Sequence, residues 1–387
     1  MDSSRPAALN RQKIPILDAF RFIASVLVVF VHYEVIFGQA VIYGSFATTA
    51  VSWFFVVSGF ILSYTYPSLD SAKDYRRFYH HRLIRIYPIY CLRIIVSSLF
   101  VSLNYAAMGE GFFAEVNRPF ELMHDLPEQK DSAFFLISTL RHLVFAQSVG
   151  GVETLKLVFN GPLWSIVLEM YFYLAFPLLL LLIKPLNSLG KVIAAFIVGY
   201  ILQFLLIQLY LPEAERFDVI NLNVPVYTNP LIRGIEFLFG MLLYRAFTFT
   251  EVSRNATKTN WIPTLVSVAL YILVVMYVHD NIPYQYSSFF LVVPFVTLMI
   301  FALLKLHWHP AENIVRCCTM LGGLSYVLYS FHWPLMEIIQ FYNLLPELDS
   351  LPLQLSLLMS VLLIVSYLIY KFLETPVRRA LYRKVDS

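Results

Sequence analysis

The first apolar segment of the chain carries four polar side chains with the spacing of one helix face. Asp18, Arg21, Ser25 and His32 lie at i, i+3, i+7 and i+14, which is a single stripe on an α-helix. Arg21 and His32 are then about 16 Å apart along the helix axis. A guanidinium suits phosphate groups, and an imidazole suits general-base chemistry on a hydroxyl. The spacing therefore indicates a long thioester donor between them, and a structural Asp18–Arg21 ion pair is the alternative interpretation.

A second basic stripe follows in the chain. Arg82 and Arg85 are three residues apart at the expected start of a helix, and Arg93 returns to the same face at membrane depth. A basic stripe that runs inward from the cytoplasm fits an anionic ligand, so we predict donor binding by these three residues. The alternative is an anchor that contacts lipid headgroups.

Three later charged groups fall within apolar segments. Glu169 is predicted at a depth similar to that of His32, where a carboxylate would orient the imidazole; hydrogen bonds to Ser, Tyr or Trp are the alternative. His332 is a candidate for a direct role, with core packing as the alternative. Arg233 and Glu236, at i and i+3, predict a structural ion pair.

The composition indicates a membrane protein. The 387 residues are 59% hydrophobic and only 14% charged, whereas about 25% charged residues is usual in soluble proteins. The net charge of +3 is spread along the chain, which excludes a nucleic-acid binder. Cys91, Cys317 and Cys318 are too few for a disulfide framework and fall in or beside apolar runs. No metal-ligand spacing is evident, so we predict no metal.

The elements that must position these groups are apolar helices. A spanning helix needs about 20 apolar residues, and we predict an all-α, polytopic membrane protein with about ten transmembrane helices. The predicted spans are residues 14–37, 44–66, 83–105, 162–183, 191–211, 230–249, 261–279, 287–306, 317–342 and 352–373.

The basic residues predict the orientation of these spans. Of the 28 Lys and Arg residues, 20 fall in segments on the side of the N-terminus and 6 in the connections on the other side. Both termini are therefore predicted to be cytoplasmic. The domain prediction is a cytoplasmic tail 1–13, a membrane domain 14–373 with an outer loop 106–161, and a basic cytoplasmic tail 374–387. Residues 132–148, within that loop, predict a short interfacial or re-entrant helix.

Six short segments with recognisable motifs follow one another along the chain. They are Leu17–Arg21 with His32, Trp53–Phe60 (WFFVVSGF), Arg82–Pro88 with Arg82-x-x-Arg85, Leu163–Glu169 with Phe172-Tyr173, Leu324–Tyr326 with His332-Trp333-Pro334, and Phe372–Pro376 (FLETP), which contains Glu374. Together they resemble the acyltransferase-3 family of integral-membrane O-acyltransferases. Each motif alone is weak, but six in order with a consistent topology are specific.

This resemblance implies an acyl-CoA-dependent O-acyltransferase with ten membrane helices. It implies that acyl-coenzyme A, most commonly acetyl-coenzyme A, is the donor from the cytoplasm, without a permanently bound cofactor. It implies that the acceptor is a carbohydrate or glycolipid, such as exopolysaccharide or lipopolysaccharide O-antigen, modified at the outer face. Essential roles are expected for Arg21 and His32 and donor binding for Arg82 and Arg85. Asp18, Ser25, His332 and Glu374 are further candidates.

Several alternatives remain open at this level. A secondary transporter or flippase for a lipid-linked sugar or organic anion would also contain charges near the midplane. Direct transfer and a covalent acyl-histidine both fit the residues. The expected location is the cell membrane, which is the inner membrane in a Gram-negative organism, and the sequence is compatible with a homo-oligomer.

Overall fold

The computed structural model is helical throughout its regular secondary structure. It describes residues 14–39, 41, 44–109, 111–112, 132–147, 159, 161–210, 224–250, 260–282, 284–287, 289–306, 308, 310–346, 348 and 350–386. Within these ranges all regular elements are helices, so the all-α prediction is confirmed. The predicted tail 1–13 and much of the predicted outer loop, residues 113–131 and 148–158, lie outside the described residues.

Fourteen α-helices, with a 3₁₀ turn and a π-helical turn, make up the described part of the chain. They are α1 Pro15–Phe37, α2 Gly44–Thr65, α3 Ala72–Met108, α4 Ser132–Leu143, the 3₁₀ turn Gly161–Leu163, α5 Trp164–Ile183, α6 Leu189–Tyr210, α7 Val224–Tyr227, α8 Pro230–Thr250, α9 Ile262–Asn281, α10 Tyr284–Ser287, α11 Val293–Leu304, α12 Glu312–Phe341, α13 Leu351–Ile369, the π turn Tyr370–Glu374 and α14 Thr375–Asp386.

Seven helical segments of the described chain are long and apolar enough to cross a membrane. They are Pro15–Phe37, Phe46–Thr65, Ala72–Met108, Gly161–Ile183, Leu189–Tyr210, Glu312–Phe341 and Leu351–Val385. The protein is thus a multi-pass integral membrane protein. The other three predicted spans are also helical, but α8 carries three charged residues and α11 has only 12 residues. A total of ten spans and the cytoplasmic location of both termini remain predictions.

The third helix begins earlier than the sequence pattern predicts. Ser71 and Asp74 form a capping box, in which the Asp74 N–H donates to Ser71 Oγ over 3.2 Å and the Ser71 N–H donates to Asp74 Oδ2 over 3.0 Å. The helix therefore starts at Ala72 rather than near residue 83. Arg82 and Arg85 consequently lie within the helix and not at its start.

The C-terminal segment also differs from the prediction. The helix continues past residue 373 through a π turn at Tyr370–Glu374 and ends at Asp386. The Thr375 N–H donates to the Tyr370 carbonyl, five residues earlier, which is the hydrogen bond that defines this turn. The predicted basic tail 374–387 is thus helical as far as it is described.

The chain divides into two compact units. The first comprises Met1–Ala24, Tyr43–Tyr75 and Tyr171–Gly322, and the second comprises Ser25–Ile42, Arg76–Met170 and Gly323–Ser387. Asp18 and Arg21 belong to the first unit. The remaining candidate site residues, including His32 and all three arginines of the second basic stripe, belong to the second.

Two glycines allow the closest helix packing in the first unit. A Cβ atom at Gly59 would overlap the carbonyl oxygen of Phe237, and one at Gly240 would overlap the carbonyl oxygen of Val56. Helices α2 and α8 therefore meet backbone to backbone, as small residues permit in membrane proteins. This contact explains why the segment Trp53–Phe60 needs a glycine.

Gly59→Ala is expected to destabilise the first unit by about 3 kcal/mol or more, because the new methyl group meets backbone that cannot move aside. Thermal unfolding of the purified protein in detergent measures this loss. Gly190→Ala is the matched control, since nothing lies within 4 Å of a Cβ there. Equal melting temperatures for the two variants would contradict the packing described for α2 and α8.

The predicted ion pair in the first unit is confirmed. Arg233 Nη1 lies 3.0 Å from Glu236 Oε1, and neither side chain has any exposed surface. The guanidinium stacks over Phe289, at 4.5 Å from the ring centroid, and its Nη2 donates to Ser52 Oγ over 3.4 Å. Gln203 also reaches the carboxylate, at 3.5 Å from Glu236 Oε1. These contacts form a buried polar core among the helices of this unit.

Candidate active site

A pair of histidines lies within the second unit. His32 on α1 and His332 on α12 approach to 2.8 Å between Nδ1 of the first and Nε2 of the second. Their rings are nearly parallel, with centroids 5.0 Å apart. His332 is fully buried, whereas His32 is partly exposed. Two residues 300 positions apart in the chain thus form one hydrogen-bonded dyad.

The tautomers of this dyad follow from its partners. His332 Nδ1 lies 3.1 Å from the Leu328 carbonyl oxygen, which can only accept, so this nitrogen carries the proton. His332 Nε2 therefore holds a lone pair and accepts from His32 Nδ1. A neutral His32 then presents the lone pair of its Nε2, which is the form that a general base needs.

Aromatic and proline residues surround the dyad. The Trp333 indole packs edge-on against His32 with centroids 5.0 Å apart, and its ring lies 3.6 Å from where a Cβ of Gly161 would be. Pro334 lies inside α12 and lacks the N–H that would bond the Ser330 carbonyl. His332 therefore lies two residues before a proline inside α12.

The predicted orienting role of Glu169 is not tested by these contacts. The orienting contact at His32 Nδ1 comes from His332, and Glu169 lies within electrostatic range of the Tyr326 hydroxyl. That hydroxyl donates to the Ile86 carbonyl over 2.8 Å. Glu169 therefore belongs to the same unit as the dyad, and its role stays a prediction.

The arginines of the second stripe lie in different surroundings. Arg85 Nη1 lies 3.2 Å from Glu374 Oε1, and Arg378 Nη1 lies 2.7 Å from the same oxygen. The Arg85 guanidinium also lies over the Tyr326 ring, at 5.7 Å. The buried Glu374 thus joins α3 to the C-terminal helix, and Arg82 is half-buried one turn before Arg85.

Arg93 lies deeper and is almost wholly buried, with 1% of its side chain exposed. Its guanidinium is within electrostatic range of His332 and Glu337. Arg93 is therefore close to the histidine dyad, whereas Arg85 contacts the C-terminal helix. Donor binding by Arg82, Arg85 and Arg93 stays a prediction.

The polar residues of α1 divide between the two units. Asp18 packs against α12, where a Cβ on Gly322 would lie 2.5 Å from Asp18 Oδ1. Ser25 is fully buried in the second unit. Arg21 lies three residues beyond Asp18 in the first unit, and its role stays a prediction.

Helix α4 packs against α3 through side-chain hydrogen bonds. The Tyr90 hydroxyl donates to the His142 carbonyl over 2.7 Å, and Ser98 Oγ lies 2.6 Å from Thr139 Oγ1. Phe145 lies two residues beyond the end of α4 and has a φ of 59°, a conformation that bulky residues rarely adopt. Its ring stacks on the Tyr90 ring, with centroids 4.5 Å apart. The short helix predicted within 132–148 is confirmed, and α3 fixes its position.

His142 and Gln147 are the polar residues of α4 and its C-terminal turn that the sequence reasoning missed. Both are buried beside α3, at 0% and 1% exposure. The signal was an imidazole and an amide inside an apolar segment too short to span the membrane. Among the described residues, no group of three or more His, Cys, Asp or Glu could hold a metal ion.

Comparisons with known proteins identify a family and several relatives. A family model described as an acyltransferase domain, that of the acyltransferase-3 family, matches residues 14–371. The peptidoglycan O-acetyltransferase OatA of Listeria monocytogenes is 22% identical over 97% of this chain and 57% of its own length. The O-acetyltransferase OatA of Staphylococcus aureus is 24% identical over 85% of this chain and 52% of its own.

A third relative gives a similar match. The putative peptidoglycan O-acetyltransferase YrhL of Bacillus subtilis is 24% identical over 97% of this chain and 56% of its own length. The chain therefore spans only slightly more than half the length of these curated relatives. No solved structure gives a significant match. Since the family model covers nearly the whole chain, the protein belongs to the acyltransferase-3 family.

Proposed function

We propose that this protein transfers an acyl group from acyl-coenzyme A to a hydroxyl group of a cell-envelope carbohydrate. The observation that carries this proposal is the His32–His332 dyad, which leaves His32 Nε2 as a base within the membrane unit of an acyltransferase-family protein. Acetyl is the expected acyl group, because the relatives are named O-acetyltransferases.

The donor is proposed to bind near the cytoplasmic end of α3. Arg82 and Arg85 supply guanidinium groups for the phosphates of coenzyme A. We propose that both guanidiniums contact the phosphates, with Arg85 also paired to Glu374. An essential role for Arg21 of α1 stays a prediction.

The proposed step is a direct transfer. His32 Nε2 takes the proton of the acceptor hydroxyl as the oxygen attacks the thioester carbonyl carbon. The C–S bond then breaks, and the proton on His32 passes to the departing sulfur, so that an ester and free coenzyme A are formed. His332 acts as a positioning residue, since its Nε2 accepts from Nδ1–H of His32 throughout this cycle.

The acceptor is proposed to be a polysaccharide of the cell wall. Two of the relatives are named for peptidoglycan, which supports a glycan acceptor for this chain. We propose that the acceptor arrives on the outer side, where the distribution of Lys and Arg places the connection that contains α4. The same distribution keeps both termini in the cytoplasm.

Transfer of radiolabel from acetyl-coenzyme A to a soluble peptidoglycan glycan fragment tests this function. We expect membranes with the wild-type protein to label the glycan and to release one coenzyme A per ester formed. Arg82→Ala should raise the KM for the donor about tenfold, as expected for the loss of a charged hydrogen bond, with a smaller change in the KM for the glycan. Lys191→Ala, an exposed residue of α6, is the matched control.

Failure of labelling with acetyl, succinyl and longer donors in the presence of glycan would contradict the proposal. Movement of a glycolipid without release of coenzyme A would instead favour a transporter. A similar rise in both KM values for Arg82→Ala would contradict the assignment of Arg82 to the donor.

A further inference from the structure

Several buried side chains of the second unit hold polar atoms that lack a hydrogen-bond partner among the described residues, and three of these side chains belong to α3 and to α4 with its C-terminal turn. Arg93 has all three guanidinium nitrogens in this state, His142 has Nε2, and Gln147 has Oε1. Their exposed fractions are 1%, 0% and 1%. Buried polar groups are paired in the great majority of cases. Because the charge of Arg93 acts on His142, and Tyr90 contacts both Gln147 and the His142 carbonyl, the three residues are close enough to share a ligand.

The chemical character of each group follows from its other contacts. His142 Nδ1 lies 2.7 Å from the Ser138 carbonyl and must donate to it, so Nε2 of the neutral ring holds a lone pair. Burial, together with the nearby charge of Arg93, lowers the pKa of His142 to about 4. The ring is therefore neutral near pH 7.

The orientation of the Gln147 amide is fixed in the same way. The Tyr90 hydroxyl gives its proton to the His142 carbonyl, so its oxygen can accept from Gln147 Nε2, which lies 3.4 Å away. Gln147 Oε1 is then the second unused acceptor. Arg93 supplies only donors.

This combination selects one class of ligand. A carboxylate or a phosphodiester offers only acceptors near pH 7, and its oxygens would meet the lone pairs of His142 and Gln147. A hydroxyl group can donate to a lone pair and also accept from a guanidinium. A sugar, with several hydroxyls on one face, can satisfy all three residues at once.

We propose that Arg93, His142 and Gln147 form the subsite that binds the hydroxyl groups of the carbohydrate acceptor. One hydroxyl donates to His142 Nε2, another donates to Gln147 Oε1, and Arg93 donates to their oxygens. The inference rests on the proposed function and names where its acceptor binds. It moves Arg93 from the donor site, where the sequence placed it, to the acceptor site.

The positions of Arg93 on α3 and of helix α4 support an acceptor subsite rather than a donor subsite. Arg93 lies eight residues beyond Arg85 on α3, about 12 Å along the axis, away from the end with the cytoplasmic arginines. Its charge acts on both His142 and His332. Helix α4 belongs to the connection predicted on the outer side, from which a cell-envelope glycan would arrive.

Two variants of His142 test the subsite. In His142→Asn the amide can still donate to the Ser138 carbonyl but no acceptor reaches the position of Nε2, whereas Gln extends to that position. We expect His142→Asn to raise the KM for a soluble peptidoglycan glycan fragment about tenfold, as for one lost hydrogen bond. The KM for acetyl-coenzyme A should change less than about twofold, and His142→Gln should restore most of the glycan affinity.

Thr139→Val is the matched control for the docking of α4, since it removes the bond to Ser98 without touching the subsite. A rise in the glycan KM with Thr139→Val as large as that with His142→Asn would overturn the proposal. Unchanged glycan KM in His142→Asn would also overturn it, as would be seen if a water molecule alone satisfied these groups.

A binding measurement separates this inference from the proposed function. Equilibrium dialysis of the glycan fragment against the full-length protein in detergent, without any donor, should give a Kd about tenfold higher for His142→Asn. If wild-type protein transfers no label but this difference in Kd is present, the proposed function fails and the subsite stands. If label is transferred and the Kd values are equal, the subsite fails.

Discussion

Replacing His32 with alanine is expected to lower the rate of acyl transfer at least about a thousandfold, because general-base catalysis contributes on the order of 10²–10⁴. The variant should insert in the membrane and purify as the wild type does, since His32 is partly exposed and its removal leaves only His332 Nε2 without its donor. Single-turnover transfer of radiolabel, with both substrates saturating, measures the effect on the chemical step.

Variants of His332 show whether His332 acts by orienting the His32 imidazole. His332→Gln offers a carbonyl oxygen that can accept from Nδ1–H of His32, whereas His332→Leu offers none. We expect His332→Gln to retain most of kcat, His332→Leu to lose most of it, and both to keep the wild-type KM for the donor. Glu169→Gln should lower kcat less than His32→Ala does. Wild-type turnover by His32→Ala would contradict the mechanism, and equal losses for the two His332 variants would contradict the positioning role.

Replacing Arg233 with methionine is expected to destabilise the first unit by about 3–5 kcal/mol, the range found when one partner of a buried ion pair is removed. The Glu236 carboxylate would then remain without its cation at 0% exposure, with the neutral Gln203 amide and Ser52 hydroxyl as partners. The loss of cation–π contact with Phe289 adds to the effect. Thermal unfolding in detergent and the yield of folded protein report the change.

The double variant Arg233→Met with Glu236→Leu is the control for charge. Because both charges are removed together, we expect it to recover at least half of the stability lost in the single variant. A double variant as unstable as the single one would show that packing, rather than the uncompensated carboxylate, causes the loss. Retention of wild-type stability by Arg233→Met would contradict a structural role for the pair.

The all-helical class and the positions of most helices could be predicted, because the length of each apolar run determines them. In a bilayer every backbone polar group must be bonded within its own segment, so long apolar runs become helices. The start of α3 could not be found that way, since Ser71 and Asp74 cap the helix with polar residues outside the apolar run. The same holds for the C-terminal helix, whose last three turns are basic and amphipathic.

From the sequence, candidate site residues could be predicted only where they share one face of a single helix. The stripe on α1 makes His32 a candidate, because residues at helical spacing share one face. The partner of His32 could not be identified from spacing, since His332 lies 300 residues away. His142 could not be identified from the sequence, because its proposed role depends on Arg93 of α3. The packing of α3 against α4 is a tertiary contact that spacing along the chain does not reveal.

The π turn at Tyr370–Glu374 has a consequence for how this family can vary in length. A turn of this kind holds one residue more than an α-helical turn, so the helices on either side keep the faces of a continuous helix one residue shorter. Relatives with a single deletion here would retain the packing of α13 and α14. Glu374, which bridges Arg85 and Arg378, is the last residue of this turn. A deletion that removed Glu374 itself would therefore abolish that bridge and leave the helix faces unchanged.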